Sequence, residues 1–222
     1  MLPVKVCGIT RVEDALLAAE LGAAAVGFIF YPKSPRCVNA DEVRLIGEQL
    51  PPHLARVGVF VNPDPETLHL TADFANLTHI QLAGEESPHL CRESPLPVIK
   101  TIRSTVDYSL AALENFPAAA FLVESGKNNE SGSAEKSHWE FCRRLRETQI
   151  TILAGALTSE NLAAAVATAL PDAIDISSSV ESSYGVKDRG KLQKFFAAVG
   201  ALAASASRLP KGFFSLISNH AK

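Results

Sequence analysis

The sequence predicts an α/β protein built as a (β/α)8 barrel, and three observations support this prediction. Short apolar runs alternate with longer amphipathic segments along most of the chain, which is typical of parallel sheets with right-handed crossovers. About eight such units fit into 222 residues, the usual size of a (β/α)8 barrel. The alternative is an open doubly wound sheet, which would more often carry a GxGxxG fingerprint after its first strand, and that fingerprint is absent.

The stretch 4–36 contains the clearest strand–helix–strand unit. Its opening apolar run predicts a first strand, and the T-x-x-E spacing of Thr10 and Glu13 predicts a capping box that starts a helix. The nearly continuous apolar run 26–30 predicts a second strand, buried on both faces as in a parallel sheet. Cys7 should then lie near the carboxyl end of the first strand, which is the end where such folds bind ligands.

The same alternation continues to the end of the last predicted helix. A polar stretch at 125–138 is long for a loop, and it fits either a functional segment or a mobile surface insertion. We expect one barrel domain over 1–204 and a tail, 205–222, for which the sequence indicates no structure. Further strands are predicted at 55–61, 79–83, 98–102, 119–124, 151–157 and 173–179, and helices near Asn39, Asp64, Leu110, Trp139, Thr158 and Asp188.

Composition excludes several classes of protein. The net charge of −3 argues against a general nucleic-acid or membrane-surface role. The four cysteines are scattered without a CxxC pair, which argues against a zinc site and a disulfide framework. The first residues lack a signal-peptide pattern, and no run has the length of a membrane span. We therefore expect a cytoplasmic protein with reduced thiols.

Cys7 is the first candidate functional residue. It fits a general base, a nucleophile or a small buried apolar residue. Lys5 should share its strand face because side chains at i and i+2 point the same way. A neighbouring ammonium group would favour the thiolate, the form that acts as base or nucleophile.

Other candidates lie at the remaining predicted strand ends. Glu124 fits a solvated carboxylate or a catalytic one, and Arg36 fits a carboxylate- or phosphate-binding residue or a surface charge. The loops 155–158 and 177–179 precede helical segments, so their backbone N–H groups could bind phosphate or serve as ordinary caps. The six histidines show no metal-ligand spacing, so no metal is expected. The same strand ends also carry Gln81, Lys100, Arg103 and Asp175.

Several motifs, taken in order, resemble the phosphoribosylanthranilate isomerase family. They are VKVCGITRVEDA, GFIFYPKSPR, VGVFVN, PVIK, ILAGALTSENL and DISSSVESSYGVKD, and they extend from Val4 to about Val199. The resemblance implies a (β/α)8 barrel without cofactor or metal that performs an Amadori rearrangement in tryptophan biosynthesis. The implied substrate is a phosphorylated aminosugar, N-(5-phosphoribosyl)anthranilate. The expected protein is a monomer or homodimer that binds this small molecule and neither nucleic acid nor membrane.

The resemblance also implies roles for individual residues. Cys7 matches the family's general base, and Glu124 occupies the position of its general acid, an aspartate. Arg36 matches the arginine that holds the anthranilate carboxylate, and Asp175 matches an aspartate that positions the substrate. The positions that match the family's phosphate site are Gly132, Gly155, Ala156, Ser178 and Ser179.

The sequence departs from the family pattern within the implied site. The usual Q-L-H-G has Ala83 in place of histidine, and G-G-[ST]-G reads S-G-S-A at 131–134. The double glycine after strand seven ends in Ala156, and S-S-G-V-E has Ser179 in place of glycine. Two alternatives therefore remain open beside the isomerase: a non-catalytic phosphosugar- or partner-binding barrel, and an isomerase of a related phosphoribosyl substrate.

Overall fold

Eight parallel strands close into a barrel in the order of the sequence, and the last strand pairs with the first. This arrangement was obtained from a computed structural model, which describes residues 1–104, 109–125 and 132–205 together with Phe214 and Ile217. For 132–136 and 203–205 it describes the backbone alone. The predicted (β/α)8 barrel is confirmed.

The elements follow one another as strand and helix, and one small hairpin is added after the last barrel strand. The barrel strands are β1 (Val4–Cys7), β2 (Ala25–Ile29), β3 (Ala55–Phe60), β4 (His79–Leu82), β5 (Val98–Arg103), β6 (Ala120–Glu124), β7 (Thr151–Leu153) and β8 (Ala173–Ile176). The helices are α1 (Val12–Glu20), α2 (Ala40–Gly47), α3 (Pro65–Phe74), α4 (Pro88–Glu93), α5 (Leu110–Glu114), α6 (Gly132–Leu145), α7 (Leu162–Ala169) and α8 (Arg189–Ser205). The hairpin consists of β9 (Glu181–Ser183) and β10 (Val186–Lys187), where the sequence predicted only a polar turn.

The predicted helix starts have different outcomes. The helix predicted near Asn39 is confirmed as α2, and it begins with a capping box, because the side chain of Asn39 accepts from the amide of Glu42 and the Glu42 carboxylate accepts from the amide of Asn39. The predicted α1 capping box is wrong: the hydroxyl of Thr10 donates instead to the carbonyl of Gly185 at 2.7 Å. Helix α1 accordingly begins at Val12 without a side-chain cap. A contact across 175 residues thus replaces the local one.

The amino-terminal end of the barrel interior is lined by small side chains. Ala25 and Ala55 lie beside each other in paired strands, and Ala25 pairs in register with the buried Lys5, so all three belong to the inner face. The small side chains leave space, and Phe214 and Ile217 of the tail pack into the same apolar cluster. The 1–204 domain boundary stays a prediction, but two tail residues belong to the barrel core.

His79 at the start of β4 makes a polar contact with Phe214 of the tail. Its Nε2 lies 3.0 Å from the carbonyl oxygen of Phe214, and the two rings meet edge to face at 5.5 Å. Burial lowers the pKa of His79 to about 4. At neutral pH the imidazole is therefore uncharged, as its apolar surroundings require.

We predict that Phe214→Ala destabilises the fold, because it removes a buried ring from the barrel core. The expected loss in the free energy of unfolding is about 3 kcal/mol, as for other core Phe→Ala changes. Urea denaturation would measure it. Phe74→Ala is the matched control, since the Phe74 side chain is 45% exposed on α3 and its loss should cost less than about 1 kcal/mol. Equal losses in the two variants would contradict the assignment of Phe214 to the core.

Candidate functional site

The carboxyl-terminal mouth of the barrel collects the predicted site residues. Cys7 ends β1, Glu124 ends β6, Asp175 lies in β8, and Arg36 follows β2. Strands that run parallel in one closed barrel present their carboxyl ends on the same side, so these residues share one mouth. The predicted phosphate-binding positions lie in the segments after β6, β7 and β8 at the same mouth: Gly132, Gly155, Ala156, Ser178 and Ser179.

Lys5, Cys7 and Asp175 form a buried group inside the barrel. Strand pairing sets Lys5 beside Asp175, and the Lys5 Nζ donates to Asp175 Oδ1 at 2.7 Å. A Cβ atom at Gly27 would lie 2.8 Å from the Cys7 sulfur and 3.0 Å from the Lys5 Nζ, so both side chains approach the same point on β2. The prediction that Lys5 and Cys7 share a strand face is confirmed, and Gly27 leaves the room they need.

Burial and neighbouring charges have opposite effects on the pKa values in this group. Burial acts to lower the pKa of Lys5, but the neighbouring Asp175 and Cys7 outweigh burial and the pKa is raised. Burial also raises the pKa of Asp175. The 2.7 Å contact has the geometry of an ion pair, and we treat the two groups as ionised.

Cys7 does not have the low pKa that the sequence led us to expect. Lys5 does lower the pKa of the thiol, but burial raises it by more, and the Asp175 carboxylate also raises it. The net shift is upward from the usual value. The free protein therefore holds Cys7 as a thiol at neutral pH, and burial, which the local sequence did not reveal, is the reason.

Arg36 belongs to a second charged group. Its Nε donates to Glu181 Oε1 at 2.8 Å and its Nη2 donates to Glu181 Oε2 at 2.5 Å, and the Lys187 Nζ also donates to Oε1 at 2.8 Å. Burial would raise the pKa of Glu181, but the two cations lower it by more. Arg36 is thus held by a fixed buried carboxylate and is not an unattached surface charge.

Lys187 connects the second group to Cys7. Its Nζ also donates to the backbone carbonyl of Cys7 at 2.6 Å, and its amide donates to Asp14 on α1. The sequence predicted no role for Glu181 or Lys187, although both lie in the motif VESSYGVKD. Their partners lie up to 180 residues away in the sequence, so local spacing could not predict these contacts. The motif itself was the only sign in the sequence that these two residues matter.

Glu124 lies at the rim of the mouth. Its side chain is 46% exposed, and Arg103 at the end of β5 places Nε 4.0 Å from Glu124 Oε2. These two residues face each other in the β5–β6 register. The carboxylate is therefore accessible from solvent, next to a cation.

The turn after β7 has an unusual backbone. Gly155 and Ala156 have φ angles of +93° and +48°, in the left-handed region. A Cβ at Gly155 would lie 2.8 Å from the amide nitrogen of Ser125, so glycine is needed there for close approach as well. Ala156 adopts the same region with a side chain, at a cost of about 1 kcal/mol.

Two other strand-end candidates have structural contacts. The Lys100 Nζ donates to the buried carboxylate of Glu86 and to the carbonyl of Gly84, each at 2.6 Å. The side-chain amide nitrogen of Gln81 donates to the hydroxyl of Thr101. Lys100 therefore holds the segment after β4, and its charge is already paired.

The described part of the chain contains no cluster of three or more His, Cys, Asp or Glu side chains that could hold a metal ion. None of its helices has the length and apolar character of a membrane span. All four cysteines are free thiols.

Known proteins resemble this chain along most of its length. A family profile described as N-(5'phosphoribosyl)anthranilate (PRA) isomerase matches residues 4–198. A relative from Syntrophus aciditrophicus, named N-(5'-phosphoribosyl)anthranilate isomerase, is 42% identical over 201 residues, which cover 90% of this chain and 87% of the relative.

Solved structures of such isomerases share the fold. The phosphoribosyl anthranilate isomerase from Thermotoga maritima matches with a TM-score of 0.83 at 36% identity, and the match covers 90% of this chain and 100% of that one. A structure of phosphoribosyl anthranilate isomerase in complex with reduced 1-(o-carboxyphenylamino)-1-deoxyribulose 5-phosphate matches with a TM-score of 0.80 at 35% identity and the same coverage.

We predict that Lys5→Met raises the pKa of Cys7 further, because it removes the cation that favours the thiolate. The 13Cβ chemical shift of labelled cysteine would report the titration, with the Cys7 signal assigned by its absence in Cys7→Ala. Lys33→Met is the matched control, since Lys33 is exposed and its charge is screened by water. A Cys7 titration that moves equally in both variants, or in neither, would contradict the proposed effect of Lys5.

Proposed function

Because the chain belongs to the N-(5'-phosphoribosyl)anthranilate isomerase family, a family of enzymes, we propose that it catalyses that family's reaction in tryptophan biosynthesis. The reaction converts N-(5-phosphoribosyl)anthranilate into 1-(2-carboxyphenylamino)-1-deoxyribulose 5-phosphate. The observation that carries the proposal is the buried group of Lys5, Cys7 and Asp175, at the same barrel mouth as Arg36 and Glu124.

Glu124 would act first, as the general acid. It gives a proton to the furanose ring oxygen, the bond from that oxygen to C1 breaks, and the ring opens to an iminium ion. Its exposed position at the rim allows it to recover a proton from solvent. Arg103 at 4.0 Å attracts the carboxylate that remains after proton transfer.

Cys7 would act second, as the general base. Its thiolate takes the proton from C2, and the electrons of that C–H bond form the C1–C2 double bond. The π electrons of the iminium C=N bond move to nitrogen as a lone pair. The enolamine then gains a proton at C1 and loses the hydroxyl proton at C2, which yields the ketone. Two positive charges, those of Lys5 and the substrate iminium ion, would stabilise the thiolate relative to the thiol, and they act strongly because the surroundings have a low dielectric constant.

Arg36 would bind the anthranilate carboxylate. Glu181 occupies its Nε and Nη2, and no hydrogen-bond partner of Nη1 is found among the described residues. The free N–H groups of a guanidinium fixed on one edge suit a carboxylate on the other. The backbone at Gly132, Gly155, Ala156, Ser178 and Ser179 would hold the phosphate, and Asp175 would position the sugar through its contact with Lys5.

We predict that the wild-type protein turns over N-(5-phosphoribosyl)anthranilate and that Cys7→Ala and Glu124→Gln each lower kcat by about 100-fold or more, the usual effect of losing a general base or acid. Glu124→Asp should keep activity because it keeps a carboxylic acid. Cys91→Ala on α4 and Glu114→Gln on α5 are matched controls at positions with no role in the proposed mechanism, and they should retain the wild-type rate.

Each alternative has its own outcome in the same assay. Binding of the substrate without turnover in the wild type would indicate a non-catalytic barrel. Turnover of a different aminoaldose phosphate would indicate a related isomerase. Full activity in Cys7→Ala would exclude Cys7 as the base and leave the family's reaction intact.

A further inference from the structure

An aromatic ring lies exposed beside Arg36. Tyr184 occupies the turn of the β9–β10 hairpin, and its side chain is 72% exposed. The guanidinium carbon of Arg36 lies over the face of this ring, 5.0 Å from its centre. Single exposed aromatic side chains are common on protein surfaces, so the informative feature is the position of this ring against Arg36. The hairpin follows β8 at the barrel mouth, so the ring lies where a substrate held by Arg36 could contact it.

The hairpin that carries the ring is fixed on two sides. The hydroxyl of Thr10 donates to the carbonyl of Gly185, the residue after Tyr184, at 2.7 Å. On the other side, Lys187 is bound to Asp14 and to Glu181. The ring therefore extends from anchored backbone, and its position relative to Arg36 is defined before any ligand binds.

The geometry of Arg36 determines where an aryl ring would go. A carboxylate bound to a guanidinium by two parallel hydrogen bonds lies close to the guanidinium plane. The carboxylate of anthranilate is attached directly to its benzene ring, so that ring continues outward from the same plane. Because the Arg36 guanidinium carbon lies 5.0 Å from the centre of the Tyr184 ring, an aryl ring attached to that carboxylate would lie near enough to the tyrosine to form an aromatic pair.

We propose that Tyr184 forms one wall of the subsite for the substrate's aryl group and selects N-aryl aminosugar phosphates over those without an aromatic ring. This inference rests on the proposed function, since it takes the carboxylate of anthranilate as the ligand of Arg36. Tyr184 is a specificity-determining residue here, and the proton transfers do not involve it.

The test compares Tyr184→Ala and Tyr184→Phe with the wild-type protein. The aryl probe is reduced 1-(2-carboxyphenylamino)-1-deoxyribulose 5-phosphate, and the probe without an aryl group is ribulose 5-phosphate, both measured as inhibitors. We expect Tyr184→Ala to weaken the aryl probe and to raise KM by about tenfold, the effect of losing one aromatic pair. Inhibition by ribulose 5-phosphate and kcat should stay within about twofold. Tyr184→Phe keeps the ring and should behave as the wild type.

The outcomes separate this inference from the function on which it rests. An active wild type with no loss for the aryl probe in Tyr184→Ala would overturn the inference alone. Equal weakening of both probes would also overturn it, because that result would show a general disturbance of the site. A wild type that neither binds the aryl probe nor turns over the substrate would overturn both.

Discussion

The buried ion pair between Lys5 and Asp175 is the constraint on which the site depends. An ammonium group taken fully out of water is unfavourable by several kcal/mol unless an opposite charge compensates it, and breaking such a pair costs about 3–5 kcal/mol. The register of β1 against β8 supplies that partner at 2.7 Å. The same strand carries Cys7 two residues on, so the position of the thiol and the charge beside it come from one strand pairing. The proposed proton transfer at Cys7 therefore depends on the pairing of β1 with β8, which closes the barrel.

The second charged group extends this arrangement to the rim. The carboxylate of Glu181 accepts from both Arg36 and Lys187, and Lys187 also donates to the carbonyl of Cys7. Cys7 and Arg36, the proposed base and the proposed carboxylate-binding residue, are thus positioned by one connected set of hydrogen bonds. Phe214 and Ile217 pack at the opposite end of the barrel interior, beside small alanine side chains. The proposed chemistry thus lies at one end of the barrel, and this packing lies at the other.

The sequence predicted the parts of this molecule that local pattern determines. Strand and helix alternation predicted the barrel, and the i, i+2 spacing predicted that Lys5 and Cys7 share a face. What it missed depends on distant contacts. The hydroxyl of Thr10 bonds to the hairpin instead of capping α1, and burial by the whole barrel outweighs Lys5 in setting the pKa of Cys7. The place of Phe214 depends on a socket built from several strands, which no single stretch of sequence reveals.

The pH dependence of kcat/KM in the wild type and in Lys5→Met tests the central claim most directly. We expect activity in both to rise with pH as the thiol of the free enzyme ionises, with an apparent pKa above the usual thiol range in the wild type. The rise should move to higher pH in Lys5→Met. Because that variant leaves Asp175 buried without its cation, Lys5→Met with Asp175→Asn is measured beside it. A smaller upward shift is expected there, because the double variant also loses the Asp175 charge that raises the pKa of the thiol, and Lys5 affects the thiol more than Asp175 does. A profile that does not move in either variant would contradict the account.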